Sequence, residues 1–279
     1  MNNGKQTNGL NRHTIDKFYT RNTVVELCMG LVNANLQIHP QNDVIIEPSA
    51  GNGSFIAGIK SITNHFKFYD VEPENEEISK QDYLTYDYSA LKNDFQKIHI
   101  IGNPPFGRQS SMAIKFIKKS CEFCDSVSFI LPKSFKKNSL KKTFPLQFHL
   151  ISEIDLPDKA FLVNGNEHHV PCIFQIWEKK QNNRSLQVKI EPVHFQFVKK
   201  TDNPDISFRR VGVNAGTIDQ NIDEKNIQSH YFIKFQNGKT ASENVNRLSC
   251  ITFDFNNTVG PKSISKQELI QKFNPLLES

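Results

Sequence analysis

Between residues 23 and 35 the apolar side chains fall at Val24, Val25, Leu27, Cys28, Leu31 and Val32. That three-to-four spacing predicts an amphipathic helix ending near Asn35, and His39-Pro40-Gln41-Asn42 follows as a turn. The period then changes. Residues 43–47 are a short apolar run stopped by Pro48 and a pair of glycines, and residues 54–59 read as a helix. Residues 65–69 alternate and end on Asp70, residues 98–101 stop at Gly102-Asn103-Pro104-Pro105, and a basic helix spans 111–122. Strands at 126–131, 150–156 and 170–177 complete the series. Strand alternating with helix predicts a mainly parallel sheet. Past the polar stretch 178–184 the pieces at 186–197, 206–213 and 230–235 look like strands. A last helix is expected over 265–273, with Ser263 or Ser265 as N-cap. The division drawn from this pattern is a disordered leader over 1–16, an α/β domain over 17–182 and a small β-rich domain over 183–279.

Composition narrows the class. At 279 residues the chain is one large domain or one with an appendage. Its 37% apolar content is low, but 22 Phe argue against a disordered chain. No run of about 18 apolar residues predicts a membrane span. The polar start lacks the apolar stretch of a secretion signal. Five scattered cysteines, an odd number, predict reduced thiols in an intracellular compartment, cytoplasmic or nuclear. Cys121-Glu-Phe-Cys124 has no second ligand pair nearby, so no metal is expected. The net charge of +5 is compatible with a polyanionic partner without requiring one.

Two loops carry the chemistry, each directly after an expected strand. One is Glu47-Pro48-Ser49-Ala50-Gly51-Asn52-Gly53-Ser54, the other Asn103-Pro104-Pro105-Phe106. In open α/β sheets ligands bind at the carboxyl ends of strands. The glycine turn lets backbone approach a ligand closely, yet it lacks the lysine of a phosphate loop and has Ile56 where a third glycine would stand. An alternative ligand is S-adenosylmethionine, which has no phosphate and would pack its amino acid end and ribose against such a turn; a tight strand-to-helix turn without a ligand is the other reading. Asp70 is placed to accept ribose hydroxyls, with Glu72 as its competitor, and Asp82 to accept an adenine amine. In the second loop the consecutive prolines stiffen the backbone. They preset the Pro104 carbonyl and the Asn103 side chain as acceptors for an exocyclic amine, while Phe106 offers a face for a base.

These residues resemble class I S-adenosylmethionine-dependent methyltransferases of the amino-methylating branch. The order Lys17-Phe18-Tyr19-Thr20, glycine loop, Asp70-Val-Glu-Pro73, Asp82-Tyr-Leu84, Asn103-Pro-Pro-Phe106 is similar to gamma-class N6-adenine DNA methyltransferases, with Arg21 in place of their proline. The resemblance implies a Rossmann-like, mainly parallel seven-stranded sheet with one antiparallel strand. It also implies a cofactor, S-adenosyl-L-methionine, lined by Phe18, Tyr19, Thr20, Glu47, Ala50, Gly51, Gly53, Asp70, Asp82, Tyr83 and Asn103. Asn103, Pro104, Pro105 and Phe106 would hold the target amine, and Phe161 would be a second aromatic on the flipped base.

The implied partner is nucleic acid, DNA ahead of RNA, with a protein partner possible. The 97 residues after Asn182 are few for a target-recognition domain. Lys115, Lys118 and Lys119, the run Lys133, Lys136, Lys137, Lys141 and Lys142, and Arg209-Arg210 are candidate phosphate contacts, Lys133 foremost. His168-His169 lacks a third ligand. The alternatives are an RNA N6-adenine methyltransferase, a protein glutamine N5 methyltransferase, and a methyltransferase-fold subunit without catalysis.

Overall fold

In the chain order of the computed structural model, the first elements are β1 (Tyr19–Thr20), α1 (Asn22–Asn35), β2 (Val44–Glu47), α2 (Ile56–Lys60), β3 (His65–Asp70) and β4 (Ser79–Lys80). Then come α3 (Leu91–Asp94), β5 (Ile98–Gly102), α4 (Ser111–Cys121), β6 (Ser126–Pro132) and α5 (Asn138–Lys141). β7 (Phe148–Asp155), β8 (Phe161–Val163), β9 (Asn166–His168) and β10 (Cys172–Lys179) complete the α/β part. The structure describes residues 18–185, 188–253 and 262–278; the leader expected over 1–16 lies outside them. The chain divides at Arg184, with residues 136–138 grouped with the second unit.

In the first unit seven strands form one sheet in the order β4-β3-β2-β5-β6-β10-β7. β2, β3, β4, β5 and β6 pair in parallel, and β10 runs antiparallel to both β6 and β7. The fold is thus Rossmann-like, six strands one way and one the other. Side chains along a strand alternate faces. Ile45, Ile130, Phe174 and Ile176 therefore pack under α1 and α2, while Val44, Ile46, Phe129 and Trp177 pack with Phe116 and Ile117 of α4. Both faces are covered, so β2, β5 and β6 are buried at every position, including the polar Glu47, His99, Ser126 and Ser128. The chain leaves β2 toward β3 and β4, then returns to β5 on the other side. The order therefore reverses between β2 and β5, the place where such sheets bind ligands.

A second sheet, β1-β8-β9, was not expected. Its hairpin turns on Asn164-Gly165, both at positive φ (50° and 78°), the backbone of a two-residue type I′ turn.

The second unit contains β11 (Phe195–Val198), β12 (Ile206–Arg209), β13 (Ile218–Asp219), β14 (His230–Phe235), α6 (Ala241–Leu248) and α7 (Lys266–Glu278). The four strands form an antiparallel sheet in the order β11-β14-β12-β13. Phe195, Phe208, Leu269 and Phe273 are among its core residues. Three expectations change here. The strand expected over 186–197 begins only at Phe195, and Leu186 and Gln187 lie outside the described residues. Upstream of it the backbone pairs with side-chain amides of α7 instead of a neighbouring strand. Ile190 N donates to Gln267 Oε1 (2.9 Å) and Val193 N to Asn274 Oδ1 (3.0 Å), while Gln267 Nε2 and Asn274 Nδ2 donate back to Ile190 O and Glu191 O. β12 stops at Arg209, before Gly212 at φ 101°. Finally, α7 runs past Phe273 and through Pro275, because Leu269, Ile270, Phe273 and Leu277 form one buried stripe.

Candidate functional site

β2 ends on Glu47, β3 on Asp70 and β5 on Gly102, all at the carboxyl edge of the parallel strands. The glycine turn after β2 is held by that neighbour. Gly51 N donates to Asp70 Oδ2 (2.8 Å), Glu72 N to Asp70 Oδ1 (2.8 Å) and Ala50 N to Tyr69 O (2.9 Å). Asp70 therefore holds the turn through Oδ2 and its own following loop through Oδ1, while keeping lone pairs for a ligand. Gly53 sits at φ 88°, where a Cβ would lie 2.7 Å from Ile56 Cδ1. Tyr19 lies over the turn, and its hydroxyl donates to the Glu74 carboxylate (2.6 Å).

Asn103 is oriented by β1. Its Nδ2 donates to Phe18 O (3.2 Å) and Thr20 Oγ1 (3.3 Å), and its backbone carbonyl accepts from Ser49 Oγ (3.2 Å). With the amide nitrogen committed, Oδ1 is buried and has no hydrogen-bond partner. Gly102, at φ 155°, lets the chain pass Glu47; a Cβ there would meet Glu47 Cγ at 3.2 Å. Glu47 is 2% exposed, and its Oε2 is likewise buried without a partner. Burial, and then the Asp70 carboxylate, hold its pKa well above the ordinary carboxylate value. Each such orphaned acceptor costs about 1–3 kcal/mol, which a ligand N–H would recover.

These residues line one cavity of about 300 Å³. Phe18, Tyr19, Thr20, Glu47, Ala50, Gly51, Asp70, Asp82, Tyr83, Asn103, Pro104, Pro105 and Phe106 all border it. Gly53 shapes the turn without bordering it. Asp82 is exposed and accepts from Leu84 N (2.9 Å). Tyr83 is buried, bonded to Ser120 Oγ (2.8 Å), and burial raises its pKa. Ser49, Glu72, Glu74, Met112 and Phe116 also border the cavity. The last two come from α4, which the sequence reads only as a basic helix.

Two named residues lie elsewhere. Phe161 is fully buried in the core, edge-on to Phe18 at 6.0 Å, because the β1–β8 register pairs it with Thr20 and turns its ring inward. Lys133 is ion-paired with Asp155 (3.0 Å), and in the same basic run Lys141 pairs with Glu153 (2.7 Å) and Lys137 donates to Ser263 Oγ (3.0 Å). Cys121 and Cys124 are buried, which pushes the Cys121 thiol up to about 12 and Cys124 well above its ordinary value. Among the described residues no group of three metal-ligating side chains comes together.

No protein-family model matches the chain, and no curated protein does. Among solved structures it is similar to a candidate RNA methyltransferase of Pyrococcus horikoshii, with a TM-score of 0.42 and 15% identity over 56% of this chain and 81% of that one. It is also similar to the magnesium protoporphyrin IX methyltransferase of Synechocystis with bound S-adenosylmethionine, at 0.40 and 9% over 57% and 79%. An rRNA methylase of Streptococcus thermophilus gives 0.36 and 13% over 57% and 95%.

Proposed function

We propose that this chain is an S-adenosylmethionine-dependent N6-adenine methyltransferase acting on DNA. The observation that carries the reading is the pair of orphaned acceptors, Glu47 Oε2 and Asn103 Oδ1, belonging to residues that line the same cavity at the switch point of the sheet. The residues present fit the cofactor. Glu47 is a buried carboxylate suited to an ammonium, Asp70 a carboxylate suited to a ribose diol, and Asp82 an acceptor for an adenine amine. When bound, S-adenosylmethionine supplies a methyl group on a sulfonium, an electrophile that needs no metal.

The chain's own residues would then act on the target. An exocyclic adenine amine is a poor nucleophile because its lone pair is delocalised into the ring. Asn103 Oδ1 and the Pro104 carbonyl, taking one N–H each, favour a pyramidal nitrogen and leave the lone pair directed outward. Both acceptors are fixed in advance, by Phe18 and Thr20 for the side chain and by the two prolines for the backbone, so little reorganisation is needed. Phe106, partly buried against the core, offers its ring to a base taken out of its stack. The order of Phe18-Tyr19-Thr20 ahead of α1 favours DNA over RNA.

The test is methyl transfer from radiolabelled S-adenosylmethionine to duplex DNA, single-stranded DNA and total RNA, with wild type and Asn103→Ala. We expect N6-methyladenine on DNA and a loss of about 10²–10³-fold in the variant. Label on RNA alone would replace DNA as the substrate. No label on any polymer, with cofactor binding intact, would overturn the reading.

A further inference from the structure

A second cavity, of about 430 Å³, lies wholly in the second unit. It sits where β11 ends, β14 begins and α7 starts, and it has no part in the site above. Phe197 and Tyr231 meet edge to face in its wall, 5.5 Å apart at 74°. Three cations surround these rings or the cavity mouth. Lys266 Nζ stands 4.4 Å from the centre of Phe197 and 5.9 Å from that of Tyr231, the Arg210 guanidinium is 5.6 Å from Tyr231, and exposed Lys199 follows β11. Lys200 builds the frame: its ammonium donates to Asp223 O (2.7 Å) and Lys225 O (3.0 Å). Ile227, 69% exposed, gives the rim an apolar edge. Two acids lie nearby: Glu268 reaches back to Ser265 N (2.7 Å) in the capping box of α7, and Asp202 accepts from Lys199 N (3.2 Å) and Thr201 Oγ1 (3.0 Å). Charge is uneven along the chain as well. The second unit holds fourteen Lys and Arg against ten Asp and Glu, so it carries +4 of the chain's +5.

We propose that this cavity is a nucleotide-binding notch that holds an unpaired nucleotide of a single-stranded nucleic acid. Two features select that ligand. An aromatic face that already attracts a cation will also stack a base, and does so with little sequence preference. An exposed lysine over the ring can swing off it to a flanking phosphate, keeping its charge engaged while the base takes its place. A purely structural aromatic pair would need neither the exposed isoleucine nor the two flexible ammonium groups at its edge. The inference rests on the proposed nucleic-acid substrate and gives it a second point of attachment.

The experiment is fluorescence anisotropy of the full chain with a labelled single-stranded twelve-nucleotide DNA, across a salt series, alongside an abasic oligomer with the same phosphates. Lys199→Ala and Lys266→Ala, both at exposed positions, should each weaken binding several-fold and lower the salt slope by about one. Phe197→Leu should weaken binding about tenfold with the slope unchanged, and should leave the abasic oligomer unaffected. S-adenosylhomocysteine affinity, read on the same samples, should stay constant. Wild-type affinity in all three variants, or equal affinity for the abasic and normal oligomers, would overturn the notch. Two further outcomes separate the proposals. Oligonucleotide binding that depends on the notch, without methyl transfer to any polymer, would sink the enzyme reading and leave the notch standing. Methyl transfer to nucleic acid with unchanged oligonucleotide affinity in the variants would do the reverse.

Discussion

Glu47 is under two opposing demands. Burial and the nearby Asp70 raise its pKa, so the native chain keeps a proton that the unfolded chain releases near pH 4.3. Stability drawn from the protonated form is present below that value and is lost as pH rises through the folded pKa. Glu47→Gln removes the charge but keeps the shape. At pH 8 it should raise Tm by several degrees, at about 2–4 °C per kcal/mol. The same change should weaken S-adenosylhomocysteine by about 10–100-fold, because a charge-assisted contact to its ammonium is lost. Calorimetry and isothermal titration check both halves, and a lower Tm would mean the carboxylate is compensated inside the fold. The residues flanking the glycine turn and the Asn-Pro-Pro-Phe loop were legible because each follows a strand and carries an unusual backbone. Glu74 was not, since its bond to Tyr19 spans 55 residues with no local pattern. Phe161 shows the opposite limit. Its type and position along the chain suggested a base-stacking ring, and only the β1–β8 register reveals that it faces the core.

Among elements, the long periodic ones were readable: α1, α4 and the strands of the large sheet other than β4 carry enough apolar positions to declare their period, while β4 is two exposed polar residues with none. β8 and β9, three residues each, are too short to alternate visibly. The Thr240-x-x-Glu243 signature was present in the sequence and does form a capping box at α6. The polar stretch after β10 reads as a linker, yet its last residue ties two segments together. Arg184 donates to the carbonyls of Pro145 (2.6 Å), Phe148 (2.7 Å), Phe144 (2.9 Å) and Lys141 (3.1 Å). Its guanidinium also lies 5.2 Å from the Trp177 ring, which stacks on Phe144 at 4.1 Å. Arg184→Ala should cost about 2–3 kcal/mol, read as a lower urea midpoint with unchanged slope. Arg184→Lys should recover little of it, because a single ammonium has no planar fork to reach four carbonyls. Full recovery by lysine would reduce the role of Arg184 to its charge.

Across the whole first unit the two edges of the sheet are put to different uses. The carboxyl edge leaves Glu47 and Asn103 short of partners, while the amino edge is closed by a buried polar latch. Asp43, just before β2, accepts from His39 N (2.8 Å) and Lys97 N (3.1 Å). His99 of β5 stands between Asp43 Oδ2 (3.4 Å) and Ser126 Oγ of β6 (2.7 Å), and all three side chains are buried. A carboxylate can only accept, so Nε2–H donates to Asp43; the serine hydroxyl both donates and accepts, so it can give its proton to Nδ1 of a neutral ring. The direction of the pKa favours that neutral form. Burial lowers it, and outweighs Asp43 and Asp125, which raise it. In a window below the ordinary histidine value near 6.5 and above the depressed native one, the unfolded chain binds a proton that the native chain refuses. Stability must therefore fall as pH drops through that window, by up to about 1.4 kcal/mol per pH unit. Urea midpoints between pH 8 and 5 should show this fall in wild type. In His99→Asn it should be shallower by up to one proton's worth of slope, and an undiminished slope would assign the titration to another group. Because the latch and the cavity occupy opposite edges of the same strands, S-adenosylhomocysteine affinity at pH 8 should be the same in both proteins.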